Sequence, residues 1–159
     1  MFSKIALRML IPVLCLMPAS NLPQAAESTM ETEAALLNIL QAAYEASCKD
    51  ADRVRDYYLA DAEIINDGRL TTLDETINEL KRSLGSLKDL TCSYRPKVRT
   101  SRIGDSISYL VVRETIRLSA HGTGEQRMEQ VCTYVFLKKD GSRWKIAVDH
   151  CSSVPGETA

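Results

Sequence analysis

The stretch that decides the fold is residues 91–153, which read TCSYRPKVRTSRIGDSISYLVVRETIRLSAHGTGEQRMEQVCTYVFLKKDGSRWKIAVDHCSS. Within it, four runs alternate between apolar and polar residues, at about 91–103, 106–119, 126–139 and 142–153. Alternation with a period of two is typical of β-strands. Glycine-containing turn signals separate the runs, at Gly104-Asp105, Gly122-Thr123-Gly124 and Asp140-Gly141. The stretch therefore predicts four antiparallel strands joined by tight turns.

Three helical segments precede these strands. Ser28-Thr29-Met30-Glu31 has the capping-box pattern that opens a helix, and Asp50 can cap a second, short helix. A short β-run at 62–66 leads into the turn signal Asp67-Gly68, and Thr72-Leu73-Asp74-Glu75 is a second capping box. Helices followed by a long meander predict an α+β domain, in which three N-terminal helices pack on a strongly curved antiparallel sheet.

The N-terminus has the pattern of a cleavable signal peptide over residues 1–26. Lys4 and Arg8 precede an almost wholly apolar run at 9–17, and small residues at Ala25 and Ala26 offer a cleavage site. A membrane-spanning helix is the rival interpretation, but the strictly apolar part is shorter than the roughly 20 residues that a span requires. We therefore expect an exported protein, periplasmic or secreted, with no stable membrane insertion after cleavage.

The remaining chain suits one domain at 27–153 with a short flexible tail at 154–159. The formal net charge of the 159 residues is −1, and removal of Lys4 and Arg8 makes it −3. A slightly acidic chain without a Lys/Arg cluster gives no electrostatic case for binding nucleic acid.

Four cysteines remain after the signal: Cys48, Cys92, Cys132 and Cys151. An even number in an exported chain predicts two disulfides, and four cysteines allow three pairings. Their spacing matches no zinc pattern, so the sequence predicts neither a metal site nor a cofactor. Cys132 and Cys151 fall on neighbouring strands, two residues from exact opposition, so a bulge would bring them into bonding range. By elimination, Cys48 would pair with Cys92.

Hairpin register assigns side chains to the two faces of the sheet. If Lys138 opposes Arg143, then Cys132 opposes Asp149, and extension to the preceding strand places Arg113 beside Cys132. One face then carries mostly apolar residues, including Leu110, Val112, Val131, Val135, Trp144, Ile146 and Val148. The other face is mixed and includes Tyr109, Arg113, Cys132, Tyr134, Asp149 and Cys151.

Neither face is polar enough to be simply solvated, although a lone antiparallel sheet normally has one solvated face. Helices can cover one face, and a second copy of the chain is the economical cover for the other. We therefore expect a homodimer, with Val135, Trp144 and Ile146 on its contact face. The alternative is a loop or tail that folds over the sheet, but few residues follow Cys151.

The order of elements resembles the SnoaL-like, nuclear transport factor 2-like superfamily over roughly residues 32–153. The resemblance is carried by the helices, by Tyr58-Leu59-Ala60-Asp61-Ala62 with Asp67-Gly68, and by the closing strand from Gly141 to Ile146. It implies a cone-shaped fold with a pocket between helices and sheet. Such folds host isomerases, cyclases, dehydratases, carriers and assembly modules, so the fold does not decide the function.

The resemblance also selects the pocket face. In ketosteroid isomerases, pocket residues follow the first apolar residue of the last strand by three, five and seven positions. Counted from Trp144, these positions are Ala147, Asp149 and Cys151, which implies that the mixed face is the concave one. The expected ligand pocket therefore comprises Tyr58, Tyr109, Arg113, Cys132, Tyr134 and Asp149. Arg113 could hold an anionic group, or it could simply form an ion pair with Asp149.

The same comparison argues against steroid isomerisation. Asn66 stands where the general-base aspartate is expected, Ala42 at the oxyanion-binding tyrosine, and Tyr134 at its acidic partner. An asparagine cannot act as a general base. We therefore expect non-catalytic binding of a small, partly apolar molecule. The alternatives are a cofactor-free lyase or isomerase acting on a small carbonyl compound through Tyr134, Asp149 and Asp67, and a dimeric assembly module with no ligand.

Overall fold

Helices and strands follow the predicted order in a computed structural model of the chain, which describes residues 22–139 and 143–155, with side chains from Thr29 onward. A short 3₁₀ helix spans Ala51–Asp56. The other elements are α1 (Leu22–Lys49), β1 (Tyr58–Asn66), β2 (Arg69–Thr71), α2 (Leu73–Leu84), β3 (Thr91–Arg102), β4 (Ile107–Ser119), β5 (Gln126–Leu137) and β6 (Lys145–Ser153). The helices pack on one curved sheet, which confirms the α+β prediction.

The predicted helix boundaries hold for α2 and fail for α1. Thr72 and Glu75 form a reciprocal capping box at the start of α2, and the Gly85 backbone N–H closes its end on Lys81 O at 3.0 Å. By contrast, α1 begins at Leu22, six residues before the predicted start at Ser28. Pro23 falls in the first turn, where its missing N–H is tolerated, and the residues that follow favour helix.

Some predicted features lie outside the described residues. These are positions 1–21 of the predicted signal peptide, the Asp140-Gly141 turn and residues 156–159 of the predicted tail. Residues 22–26 of the predicted signal belong to α1. No helix among the described residues combines the length and the apolar character needed to cross a membrane.

The six strands form one sheet in the order β2-β1-β6-β5-β4-β3. Four of the five neighbouring pairs are antiparallel, whereas β1 and β6 run parallel. The expectation of a wholly antiparallel sheet was therefore wrong at this pair. The chain passes through α2 and four strands between β1 and β6, so no hairpin forces them to be antiparallel.

The predicted register was wrong in both hairpins of the meander. Cys132 lies opposite Cys151 and Tyr134 opposite Asp149, because a bulge next to Val135 shifts the pairing of β5 with β6. On β4, Val112 rather than Arg113 lies opposite Cys132. A shift of one residue moves every side chain of a strand to the other face. Tyr109 and Arg113 therefore lie on the face that the helices do not cover.

We call the helix-covered side of the sheet the inner face and the opposite side the outer face. Strand residues of the inner face and two leucines of α1 form the main core, whose fully buried members include Leu36, Leu110, Val112, Phe136 and Ile146. Trp144 is half-buried and packs against this core. The predicted contact face was thus wrong for Ile146, because the bulge in β6 turns that residue inward, and only Val135 keeps its outer position.

Two disulfides join the elements of the fold, Cys48–Cys92 and Cys132–Cys151. These are the pairs expected from the sequence. The first ties the end of α1 to the start of β3, with Cα atoms 6.4 Å apart. The second links directly opposed residues of β5 and β6, whose Cα atoms are 4.1 Å apart. Both bridges fix strands of the sheet beside its inner face.

Candidate functional site

A cavity of about 590 Å³ lies between the inner face of the sheet, α1 and α2. Ligand sites commonly enclose about 300 to 1,000 Å³, with largely apolar walls and a few polar groups. The walls here are mostly aliphatic. They come from α1, α2, the 3₁₀ helix, the loop after α2 and strands β1, β4 and β5: Leu40, Ala43, Val54, Ile64, Leu80, Leu84, Leu87, Ile116, Leu118 and Met128. The cavity therefore has the size and the lining of a small-molecule site.

The first polar group of the cavity centres on Glu114, on β4. Its side chain is buried, and it accepts hydrogen bonds from the hydroxyls of Tyr94 and Tyr134, the latter at 2.8 Å. The Gln130 side-chain amide donates to its other oxygen at 2.9 Å. Burial raises the pKa of the Glu114 carboxyl, and these three hydrogen bonds act in the opposite direction. Neighbouring strands β3, β4 and β5 thus hold one carboxyl group in place.

The second polar group is Asp149, on β6, which is 9% exposed. Tyr58 donates its hydroxyl proton to Asp149 Oδ2 at 2.8 Å. The pKa of Asp149 is raised to about 7, chiefly by burial and also by the nearby charge of Glu114, against the lowering effect of the Tyr58 hydrogen bond. A group with this pKa exchanges protons readily near neutral pH.

Tyr44 brings the third polar group from α1. Its ring stacks on that of Tyr94 with centroids 4.8 Å apart. The hydroxyl oxygen of Tyr44 is buried and has no hydrogen-bond partner among the described residues. Burial, with the charge of Glu114, raises the pKa of Tyr44 to about 12. An unsatisfied buried hydroxyl in a cavity wall offers a ready hydrogen bond to a bound molecule.

The charges around the cavity have one sign. The lining residues include three acids, Asp67, Glu114 and Asp149, and no Lys, Arg or His among the described part of the chain. Asp67 lies at the exposed mouth and accepts hydrogen bonds from the backbone N–H and the hydroxyl of Ser153, at 2.7 and 2.8 Å. These bonds lower the pKa of Asp67. The Asp67 carboxylate is therefore fixed at the mouth by Ser153, while the carboxyls of Glu114 and Asp149 face the cavity interior.

The Cys132–Cys151 disulfide passes beside both buried acids. Its sulfur atoms lie 3.3 Å from Glu114 Oε2 and 3.2 Å from Asp149 Oδ1. Glu114, Cys132 and Cys151 place their potential metal-ligand atoms within 4.8 Å of one another. Each sulfur is bonded to the other, however, so this group has no thiolate to bind a metal.

Of the six predicted pocket residues, three line the cavity together: Tyr58, Tyr134 and Asp149. Cys132 lies on the inner face but is wholly buried behind the lining. Tyr109 and Arg113 were placed wrongly, as the register shift puts them on the outer face. The ion pair considered between Arg113 and Asp149 is wrong for the same reason.

Arg113 instead belongs to an ion cluster on the outer face. Its Nε and Nη2 donate to Glu129 Oε2 at 2.9 and 2.6 Å, and Arg127 donates to the other oxygen of Glu129. The Glu129 side chain is 5% exposed, and the two arginines are 39% and 42% exposed. Asp149 is thus left without a cationic partner in the described chain.

Sequence reasoning missed Glu114 as a site residue, because Leu110 and Val112, which share its strand phase, were predicted on the face away from the pocket. A signal for its true position exists, because Leu110, Val112, Glu114 and Ile116 share one phase of a strand. A carboxyl in phase with three buried aliphatic residues indicates a buried acid. Gln130 and Tyr94 were also missed, because their role depends on contact with Glu114 across three strands.

Comparison with solved structures supports the fold. A conserved protein from Planctomyces limnophilus has a TM-score of 0.63 at 16% identity, over 83% of this chain and 98% of that chain. An NTF2-like protein with a cystatin-like fold from Novosphingobium aromaticivorans has a TM-score of 0.65 at 11% identity, over 89% and 94%. The β subunit of benzoate 1,2-dioxygenase from Burkholderia mallei has a TM-score of 0.63 at 14% identity, over 76% and 89%.

At these identities the solved structures share the fold and inform no further on function. No curated protein matches the chain by sequence. A family match does exist: residues 34–157 match the SnoaL-like domain, and this range covers α1 from residue 34 onward, all of α2, every strand and the whole cavity lining. The chain therefore belongs to the SnoaL-like domain family.

Proposed function

We propose that this protein binds a small, partly apolar molecule in the cavity between α1, α2 and the sheet. The observation that carries the proposal is the cavity itself, about 590 Å³ with aliphatic walls and a polar floor. At that floor, the Tyr44 hydroxyl has no partner within the described chain. A bound molecule would satisfy this hydroxyl and cover apolar surface, and each effect favours binding.

The cavity also favours ligand binding over a function in assembly alone. Selection for assembly alone places no demand on the interior, and protein interiors are otherwise packed to a density that leaves few voids. Buried acids with no cationic partner are costly to keep in such an interior. Both features are accounted for when the interior has a ligand.

A cavity-filling variant tests the proposal. The probe is Prodan, a neutral dye whose emission shifts to the blue in apolar surroundings. Ala43 lines the cavity from α1, so Ala43→Phe should fill part of it and weaken Prodan binding at least about tenfold. Ala34 is an exposed residue of the same helix, and Ala34→Phe is the matched control with unchanged binding. Equal binding by both variants would show that the dye binds elsewhere.

A second candidate function is a cofactor-free lyase or isomerase acting on a small carbonyl compound. The observation that favours it is Asp149, whose raised pKa of about 7 suits a general base. In such a reaction the Asp149 carboxylate would take a proton from the carbon next to the carbonyl. Tyr134 was the expected partner for the carbonyl oxygen, but its proton is already donated to Glu114. Asp67 is fixed at the mouth by Ser153. We therefore rank binding first.

Proton exchange separates the two candidates. An enzyme of this class should exchange the α-protons of small ketones and aldehydes with deuterated water, and Asp149→Asn should abolish the exchange. A binding protein should leave the exchange rate at that of the buffer. Exchange that persists in Asp149→Asn would remove Asp149 from the catalytic role.

We further propose that the protein is exported and forms a homodimer through the outer face. Two disulfides suit an oxidising compartment. The outer face carries half-buried Val135 and Val148, and Val131, which is 41% exposed. Light scattering should give a dimer mass for the wild type and a monomer mass for Val131→Glu, because a buried unpaired charge opposes association. A wild-type monomer would contradict this proposal and leave the ligand proposal intact.

A further inference from the structure

The hydrogen-bond capacity of the cavity floor is unbalanced. Three tyrosine hydroxyl protons are already donated to carboxylates, from Tyr58 to Asp149 and from Tyr94 and Tyr134 to Glu114. The Gln130 amide also donates to Glu114. What remains is chiefly acceptor capacity, on the carboxylate oxygens and on the tyrosine oxygens. A complementary ligand group therefore donates hydrogen bonds.

The charge balance leads to the same group. The two buried acids, Glu114 and Asp149, lie close enough for the charge on one to raise the pKa of the other. No Lys, Arg or His is among the described residues that line the cavity. Buried carboxylates are normally paired with cations, as Glu129 is on the outer face. A bound cation would provide the pairing that residues 22–139 and 143–155 do not supply here.

The aromatic rings fit a cation as well. Tyr44 and Tyr94 stack with an interplanar angle of 20°, and Tyr58 and Tyr134 line the same cavity. The faces of tyrosine rings attract organic cations. The unpartnered Tyr44 hydroxyl adds one more acceptor oxygen at this end of the cavity. Three independent features, namely donor count, charge and aromatic lining, thus select one ligand class.

We propose that the ligand is a protonated organic amine with an apolar body, whose ammonium group binds between Asp149, Glu114 and the Tyr44 hydroxyl. This inference rests on the proposed binding function and names its substrate class. An ammonium group has three hydrogen-bond donors, which match the unused acceptors of the floor, namely the carboxylate oxygens and the Tyr44 oxygen. The apolar body contacts the aliphatic walls from α1, α2 and β4. Carboxylate ligands are excluded, because they would bring a further negative charge to two buried acids.

Three probes of one shape and different charge test the proposal. 2-(1-Naphthyl)ethylamine is cationic at pH 8, 2-(1-naphthyl)ethanol is neutral, and 1-naphthylacetate is anionic. NMR titration of the full protein gives a dissociation constant for each. We expect the amine to bind at least about tenfold more tightly than the alcohol, because charge-assisted hydrogen bonds are about twice as strong as neutral ones. The acetate should bind most weakly.

Single-residue variants identify the side chains that make the amine bind more tightly than the alcohol. Asp149→Asn keeps an acceptor for the Tyr58 hydroxyl and should bring the amine and the alcohol to within about threefold of each other. Tyr44→Phe removes no hydrogen bond, so the fold is retained, and it should weaken amine binding about threefold more than alcohol binding. Glu129→Gln alters a buried acid of the outer face and should leave the amine preference unchanged.

The outcomes separate the two proposals. Binding of the alcohol and the amine with equal affinity, or a preference for the acetate, overturns the amine inference and leaves the binding function standing. A preference that survives Asp149→Asn and Tyr44→Phe also overturns the inference. Failure of all three probes to bind, together with failure of Prodan, overturns the proposed function as well.

Discussion

Buried carboxylates on the two faces of the sheet have partners of opposite kinds, charged on the outer face and neutral on the inner face. On the outer face, Glu129 is enclosed by the guanidinium groups of Arg113 and Arg127. On the inner face, the groups of the described chain that donate to Glu114 and Asp149 are neutral: tyrosine hydroxyls and one amide. The carboxylate of Glu129 is neutralised by two arginines. The carboxyls of Glu114 and Asp149 face the cavity and have no cationic partner among the described residues. The first arrangement stabilises a structure, and the second suits a binding site.

Truncation of the two glutamates should give the largest contrast. Glu114→Ala leaves the buried hydroxyls of Tyr94 and Tyr134 and the half-buried amide of Gln130 without an acceptor, and should lower the free energy of unfolding by about 4 kcal/mol. Glu129→Ala leaves two arginines that are about 40% exposed and can regain water, so its cost should be about 2 kcal/mol. Urea denaturation measures both. A larger loss for Glu129→Ala would reverse the comparison.

The second-largest effect should be a pH-dependent difference in stability between the wild type and Asp149→Asn. The folded-state pKa of Asp149 is raised to about 7. Between about pH 4 and pH 7, Asp149 is therefore protonated in the folded state and ionised in the unfolded state. Stability falls as the pH rises through this window. Asparagine does not titrate, so Asp149→Asn should gain about 4 kcal/mol relative to the wild type between pH 4 and pH 8. Denaturation midpoints across this range measure the gain.

Asp67 at the cavity mouth is the matched control for this effect. Its pKa is lowered by hydrogen bonds from Ser153, so its charged form stabilises the fold above about pH 4. Asp67→Asn should therefore lose stability relative to the wild type as the pH rises, which is the opposite sign. The same sign for both variants would contradict the assignment of environments.

Removal of single tyrosine hydroxyls should give the smallest effects. Tyr134→Phe deletes a buried donor to Glu114 and should cost about 1.5 kcal/mol. Tyr44→Phe deletes a hydroxyl with no partner, so its cost should be below about 0.5 kcal/mol. Thermal unfolding of both variants compares them directly. Equal losses would show that Tyr44 has a partner in solution.

The sequence was sufficient for the fold because the signals that define it are local. Turn residues, the capping box at Thr72 and the alternation in β4 and β5 each act within a few residues. The disulfide pairing was also accessible, since Cys132 and Cys151 needed only a bulge to meet. The start of α1 was missed because helix-forming residues upstream outweigh the cap at Ser28.

The site was predicted only in part because it depends on register between strands. Six residues separate β4 from β5, and a bulge in β6 opposite Val135 alters the pairing of β5 with β6. Neither effect can be read from alternation alone. One residue of error exchanged Arg113 for Glu114 at the cavity and so reversed the sign of its charge. The resemblance fixed the phase of β6 correctly at Asp149, because it counted along that strand and not across the sheet.

The most direct test of the account is an NMR titration of the Asp149 side-chain carboxyl carbon in the ligand-free protein, with Asp149→Asn to assign the signal. We predict an inflection near pH 7, and a shift of that inflection to lower pH when 2-(1-naphthyl)ethylamine is added. An inflection at or below pH 4 in the free protein would contradict the claim that Asp149 lies buried in a cavity without a cationic partner.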